Sequence, residues 1–165
     1  MKTQYYKIYC DLDGVITNFN QRYKDITGIV LNPNEHRSDS KFWEPIEKAG
    51  YDFWINMGWM PDGRILWDFI SPYNPIILSA PSRQVESRIG KKDWVDRELP
   101  GTQLILRSAK HKKDFASPDA ILIDDREDNI NGWIESGGVG ILHTSSSKTI
   151  NELITKYNFK NNGKQ

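Results

Sequence analysis

The chain has 165 residues, a length that suits one domain with a substantial core and at most a small inserted subdomain. Its 22 basic and 22 acidic side chains cancel, so no overall field draws it toward nucleic acid or an anionic membrane. The single cysteine, Cys10, excludes an intramolecular disulfide and a cysteine-rich zinc site; with neither a long apolar run nor a signal-like N-terminus, the chain reads as cytoplasmic and without membrane attachment.

Residues 5–10 (YYKIYC) form a short β-rich run expected to be the first core strand, and Asp11, Asp13 and Gly14 follow it at once. Residues 19–70 then break the strand rhythm, with short helices presenting Phe19, Tyr23 and Ile26 on one face before an irregular stretch rich in Asn, Pro, Trp and Gly. Most of the six tryptophans fall between residues 43 and 94. Strand signals resume at 75–78 (PIIL), 103–106 (QLIL), 120–123 (AILI) and 139–142 (VGIL). Between and after them, helical spacing groups Val85 and Ile89 with Trp94 and Val95, then Ile130, Trp133 and Ile134, then Ile150, Leu153, Ile154 and Tyr157. Thr149 and Glu152 read as a capping box for the last helix, and the terminal KNNGKQ as a frayed end. Alternating strands and helices imply parallel strands with right-handed crossovers. The expected fold is therefore α/β, a doubly wound, Rossmann-like parallel sheet formed by residues 1–18 and 71–165, with a small helical cap (19–70) inserted after the first strand.

In such a sheet ligands bind beyond the carboxyl ends of the strands, near the switch in strand order. Asp11 and Asp13 fall there after the first strand, Ser79 after the second, and Asp124 and Asp125 after the fourth. Four carboxylates meeting in one crevice repel by several kcal/mol at the dielectric of a partly buried site, and a bound cation is the simplest remedy. Oxygen-only ligands without nearby His or Cys favour a hard ion such as Mg²⁺. His36, His111 and His143 share no spacing that suggests a metal site.

The ordered set DLDGV, LSAPS, a lysine within KHKKDF, and LIDDREDN resembles the four motifs of haloacid dehalogenase-type phosphatases and spans residues 11–129. The resemblance implies that Asp11 is the nucleophile and Asp13 the general acid/base. It also implies that Mg²⁺ is held by Asp11, the main-chain carbonyl of Asp13, and Asp124 with Asp125, Asp124 being the first choice for direct ligation. Ser79 would donate to a phosphoryl oxygen beside backbone amides near Gly14 and Ala80. Lys110, Lys112 and Lys113 all lie near the position of the motif's lysine; Lys113 is preferred by its distance from the acidic pair. Arg126 and Asn129 are expected to position the acidic loop.

Within that family the segment KFWEPIEKAGYDFWINMGWMPDGRILWDFI is similar to the cap of 5'(3')-deoxyribonucleotidases in its Phe-Trp start, its FW pair and its MPDG turn. This likeness implies a nucleoside monophosphate substrate, deoxy before ribo, with a nucleobase gripped by cap aromatics: Phe19, Phe42, Trp43, Trp54 and Trp59, with Phe53 a further candidate. For any single aromatic in so small a subdomain, however, the core reading is favoured by roughly two to one, because aromatics bury most of their large area. The second motif reads LSAPS where such nucleotidases commonly carry Thr-Ser-Pro, so sugar preference stays open. Two other readings remain: a phosphatase of nucleic-acid ends using Arg83, Arg88, Lys91 and Lys92 as a basic strip, and a non-catalytic binding module. No protein partner is evident, and a homodimer is left open.

Overall fold

Short runs of Ile, Leu and Val with almost no charge are stable only where both faces of the strand are covered, and the structure supplies both covers. The computed structural model describes residues 5–32, 37 and 39–160. Five strands, β1 (Lys7–Cys10), β2 (Ile76–Ser79), β3 (Leu104–Leu106), β4 (Ala120–Asp124) and β5 (Val139–Leu142), form an all-parallel sheet in the order β3-β2-β1-β4-β5. Register is set around the central strand: Tyr9 lies opposite Ile76 on one side and Leu122 on the other, and Cys10 opposite Ile77 and Ile123.

The period-two alternation of strand side chains sorts this core into two layers. Ile8, Cys10, Ile77, Ile121 and Ile123 point to one face, where they meet Leu66, Ile70, Trp94, Val95 and Leu153. Tyr9, Ile76, Leu78, Ala120 and Leu122 point to the other, against Ile130 and Trp133. The first layer thus draws on helices α4 (Gly63–Ile70), α5 (Val85–Glu98) and α7 (Ser146–Tyr157), the second on α6 (Glu127–Glu135).

Three helices follow β1: α1 (Phe19–Thr27), α2 (Ser40–Ala49) and α3 (Tyr51–Ile55). Asn18 starts α1 by accepting the Gln21 N–H, and left-handed Gly28 ends it. Helix α3 packs on α5, while α4 packs on α7 and closes the crossover to β2. Within the segment 19–70, α3 thus packs on α5, and α4 contributes to the layer covering the sheet.

Two expectations about helices change. Helix α7 begins at Ser146 with Ser145 as its N-cap, so Thr149 lies inside it, buried and 2.8 Å from His143 Nδ1, and not at a capping box. The Ser146 N–H is taken instead by Asp62 Oδ2 at 2.7 Å. In α5, Val85 and Ile89 are exposed; the buried face is Ser87, Gly90, Lys91, Trp94 and Val95. A Cβ on Gly90 would collide with the Cβ of Trp54, so the absence of a side chain lets α3 and α5 approach and turns Lys91 inward.

Candidate active site

Strand order reverses between β1 and β4, so their C-terminal ends open the crevice in which open α/β sheets bind ligands. Asp11 follows β1 with its N–H donating to Ile123 O (2.8 Å), and Asp124 ends β4, fully buried. After Asp11 the chain folds into a compact loop: the Leu12 carbonyl accepts the N–H groups of Ile16 (2.8 Å) and Thr17 (2.9 Å), and Gly14 N–H donates to Thr17 O (2.8 Å). The segment before α4 staples this loop from outside, Asn18 N–H donating to Gly58 O and Met60 N–H to Ile16 O. Gly14 has φ +84°, and a Cβ there would overlap the Asp125 carboxylate. Glycine is required on both counts, and its absent side chain lets the two acidic loops touch.

Two buried lysines enter this cluster. Lys112, in the 3-10 helix Ala109–Phe115, donates to Asp11 Oδ1 (2.9 Å) and Asp124 Oδ2 (2.8 Å). Burial alone would push its ammonium pKa down, but Asp11 and Asp124 outweigh that and hold it above its ordinary value. Lys113, preferred from sequence, and Lys110 are exposed instead. A 3-10 turn separates neighbouring side chains by about a third of a circle, so only one of adjacent lysines can face the sheet. Lys91 donates to Asp13 Oδ2 (2.6 Å) and Ser79 Oγ (2.8 Å), and Thr17 Oγ1 donates to Asp13 Oδ1 (2.8 Å). Lys91 is the site residue the sequence reading missed, having placed it in a surface strip. Its signal was the spacing of small Ser87 and Gly90 with Trp94, which marks the inward face of α5.

Asp124 is held from several sides: its Oδ1 accepts the Arg126 N–H (2.9 Å), and its Oδ2 accepts from Asn129 Nδ2 (3.1 Å) as well as Lys112. Arg126 turns its own guanidinium to Asp128. Burial and then the charge of Asp11 raise Asp124 to about 6. Desolvation and then the charges of Asp11 and Asp124 raise Asp125 to about 8; since Asp125 keeps an exposed edge, the crowding of like charge is the physical cause to rely on. One oxygen each of Asp11, Asp124 and Asp125 lies within 4.8 Å of the others. Oxygen donors alone, with charge that resists ionisation, fit a hard divalent cation. The Asp13 side chain stands apart from this group, engaged by Thr17 and Lys91. Ser79 is buried at the end of β2, and Ala80 follows it half-buried.

The cap aromatics fall differently from expectation. Phe19, Phe42, Phe53 and Trp54 are all buried and pack on one another: Phe42 stacks on Tyr23 with centroids 4.7 Å apart, and Phe19 meets Phe53 edge-on at 5.3 Å. They form the cap's core and offer no open faces. Half-buried Trp43 donates its indole N–H to Arg37 O (2.7 Å), and Trp59 donates to Glu98 Oε2 (3.1 Å) with Arg64 over its ring. The basic strip dissolves too, because Lys91 is buried and Lys92 pairs with Asp96. Of the histidines, His143 bonds Thr149, His111 bonds Asp114, and His36 lies outside the described residues. No helix among the described residues is long and apolar enough to cross a membrane.

No protein-family model and no curated protein matches the sequence. Solved structures do share the fold. A haloacid dehalogenase-like family hydrolase from Xanthomonas campestris is 10% identical over 95% of each chain, with a TM-score of 0.58. A hydrolase from Streptococcus pneumoniae TIGR4 is 13% identical over 91% of this chain and 98% of its own, with a TM-score of 0.54. A predicted phosphatase from Clostridium acetobutylicum is 14% identical over 89% and 90%, with a TM-score of 0.52. The fold is that of the haloacid dehalogenase-type hydrolases. At such identities the likeness speaks for the fold, and the chemistry is argued from this chain's own residues.

Proposed function

We propose that the protein is a Mg²⁺-dependent phosphomonoester hydrolase acting on small phosphorylated substrates, with nucleoside monophosphates, deoxy before ribo, as its preferred class. The observation that carries the reading is the nested pair of buried lysines: Lys112 on Asp11 and Asp124, Lys91 on Asp13 and Ser79. Such an arrangement sets a carboxylate nucleophile, a second carboxylate and a hydroxyl donor around one point and surrounds them with positive charge. The cation, held by Asp11, Asp124 and Asp125, would offset the charge of an incoming phosphate so that an anionic nucleophile can approach it.

Asp11 attacks phosphorus, forming the acyl-phosphate O–P bond as the bond to the leaving alcohol oxygen breaks; Asp13, protonated once the substrate's phosphoryl oxygens take Lys91 from it, supplies the proton that oxygen takes up. Water then attacks phosphorus, giving its proton to Asp13 as the O–P bond to Asp11 breaks. Inorganic phosphate leaves and both carboxyl groups return to their starting states. Lys91 keeps Asp13 beside Ser79, and Lys112 fixes the orientation of Asp11.

The nucleotide preference rests on the resemblance of the segment after the nucleophile loop to the cap of 5'(3')-deoxyribonucleotidases. An oligonucleotide end is disfavoured because Arg83 and Arg88, without Lys91 and Lys92, make no continuous cationic track. A phosphate-release screen over deoxy- and ribonucleoside monophosphates, other phosphomonoesters and 3'-phosphorylated oligonucleotides, with and without Mg²⁺, tests chemistry and preference together. Release from mononucleotides that stops on chelation and in Asp11→Asn is expected. Full activity in either condition overturns the mechanism, and equal turnover of every monoester overturns the nucleotide preference.

A further inference from the structure

The cap carries one guanidinium whose place in the site's field calls for an explanation. Arg37 lies 4.4 Å from the centroid of Phe19 and 5.9 Å from that of Phe42, its Nη2 donating to Asn20 Oδ1 at 3.0 Å. Its backbone is anchored by the Trp43 indole. It is exposed, and among the described residues no carboxylate lies within ion-pair distance of it. Phe19 and Asn20 open α1 directly after the loop that carries Asp11 and Asp13, so the guanidinium rests on the first turn beyond that loop. Desolvation over the rings holds Arg37 below its ordinary pKa; Asp13, Asp125 and Asp11 oppose that shift and Arg126 adds to it, so all four act on its charge.

A cation drawn toward three carboxylates but resting on aromatic faces engages only one N–H donor among the described residues. Guanidinium is weakly hydrated and stacks readily, so the aromatic shelf stores it at modest desolvation cost. Counted with the divalent cation proposed above, four carboxylates and two buried lysines leave the crevice with no net positive charge to draw in a dianion, so a further cation carried by the cap strengthens capture. We propose that Arg37 is the cap's substrate-capture residue, leaving the Phe19 shelf to pair with the phosphoryl group of an incoming phosphomonoester; this rests on the phosphatase reading above. Trp43, whose indole N–H bonds the Arg37 carbonyl, is then a positioning residue.

The experiment uses the full chain with Mg²⁺ and compares wild type with Arg37→Met, Arg37→Lys, Trp43→Phe and, as a control for lost charge, the exposed Lys148→Met. Kinetics with a deoxyribonucleoside 5'-monophosphate and p-nitrophenyl phosphate, and calorimetric binding of inorganic phosphate, are measured at low and high salt. Arg37→Met is expected to raise KM for both substrates and Kd for phosphate about tenfold and to flatten their salt dependence. Arg37→Lys should retain the salt dependence, Trp43→Phe should reproduce part of the KM effect, and Lys148→Met should match wild type. A folded Arg37→Met with wild-type KM and Kd overturns the assignment, as does a rise confined to the nucleotide, which would make Arg37 a reader of the leaving group. Should Arg37→Met fail to fold, a wild-type salt slope and KM in Trp43→Phe overturn it equally. A wild type that neither binds phosphate nor hydrolyses any monoester sinks the phosphatase reading and this inference with it, whereas an active wild type with an indifferent Arg37→Met sinks this inference alone.

Discussion

Two regions of this molecule are equally buried and nearly touch, yet they are held by opposite physics. At the strand ends Asp11, Ser79, Lys91, Lys112 and Asp124 are charged or polar, buried, and each bonded to another member. Above them Phe19, Tyr23, Phe42, Phe53 and Trp54 are buried as a nest of rings. The strand-end cluster has its geometry set by directional bonds, so removing one partner strands another in low dielectric. In the nest, the rings are fitted to one another by shape. The contrast shows where function can reside: the cluster can do chemistry without moving, whereas the nest cannot contact a substrate without coming apart. Selectivity must therefore come from the cap's rim, where Arg37 and Trp43 lie.

The sharpest way to break the comparison is to remove the ammonium shared by Asp11 and Asp124. Lys112→Met should lower kcat/KM by about a hundredfold to a thousandfold, in the range of other losses of a preorganised charge-stabilising group. Lys113→Met, one residue on and exposed, should stay within about twofold of wild type. Steady-state kinetics on the two variants side by side decides it, and a reversed order would move the site lysine to Lys113.

The nest should respond in the other currency. Phe42→Ala removes a ring stacked between Tyr23 and the neighbouring aromatics and should destabilise the fold by about 3 kcal/mol, read by denaturant unfolding. Turnover of a nucleotide and of p-nitrophenyl phosphate should fall together as the cap loosens. A stable variant that loses only nucleotide turnover would show that Phe42 meets the base after all.

How far the sequence discloses this division depends on what each residue's partner is. The sheet was legible because strands buried on both faces leave unbroken apolar runs, and the acidic loops because Asp11, Asp13, Asp124 and Asp125 each follow such a run. Side-chain direction was less legible. Lys112 and Lys113 differ only in the phase of a short 3-10 turn, which composition does not record. Lys91 was hidden because Val85 and Ile89 suggest a buried stripe that the structure leaves in solvent. The true stripe runs through Ser87 and Gly90, and it is Gly90 whose missing side chain makes room for Trp54. Burial of the cap aromatics depends on their meeting one another across three helices, a long-range fact that local spacing cannot carry.

The smallest expected effect concerns the acidic triad and its cation. Asp124 and Asp125 have pKa values near 6 and 8 in the folded chain against an ordinary 3.8. A carboxyl raised on folding favours the native state while it is protonated, so its contribution is complete below about pH 4 and lost as pH climbs through the folded values. Metal-free protein should therefore lose thermal stability between about pH 4 and 8 from this source. A bound cation needs the carboxylates ionised, so Mg²⁺ competes with protons and its stabilisation should grow over the same interval. With Mg²⁺ a hundredfold above its Kd at pH 8, linkage gives about 2.7 kcal/mol, or roughly 5–10 °C in Tm for a chain of this size, and the gain should shrink to about 1–2 °C near pH 5. Asp125→Asn removes the group titrating near 8 and should flatten the upper half of that dependence. Differential scanning calorimetry with and without Mg²⁺ measures both. A Mg²⁺ effect independent of pH, or one left intact in Asp125→Asn, would place the cation away from the acidic triad and leave the crowding of Asp11, Asp124 and Asp125 to Lys112 alone.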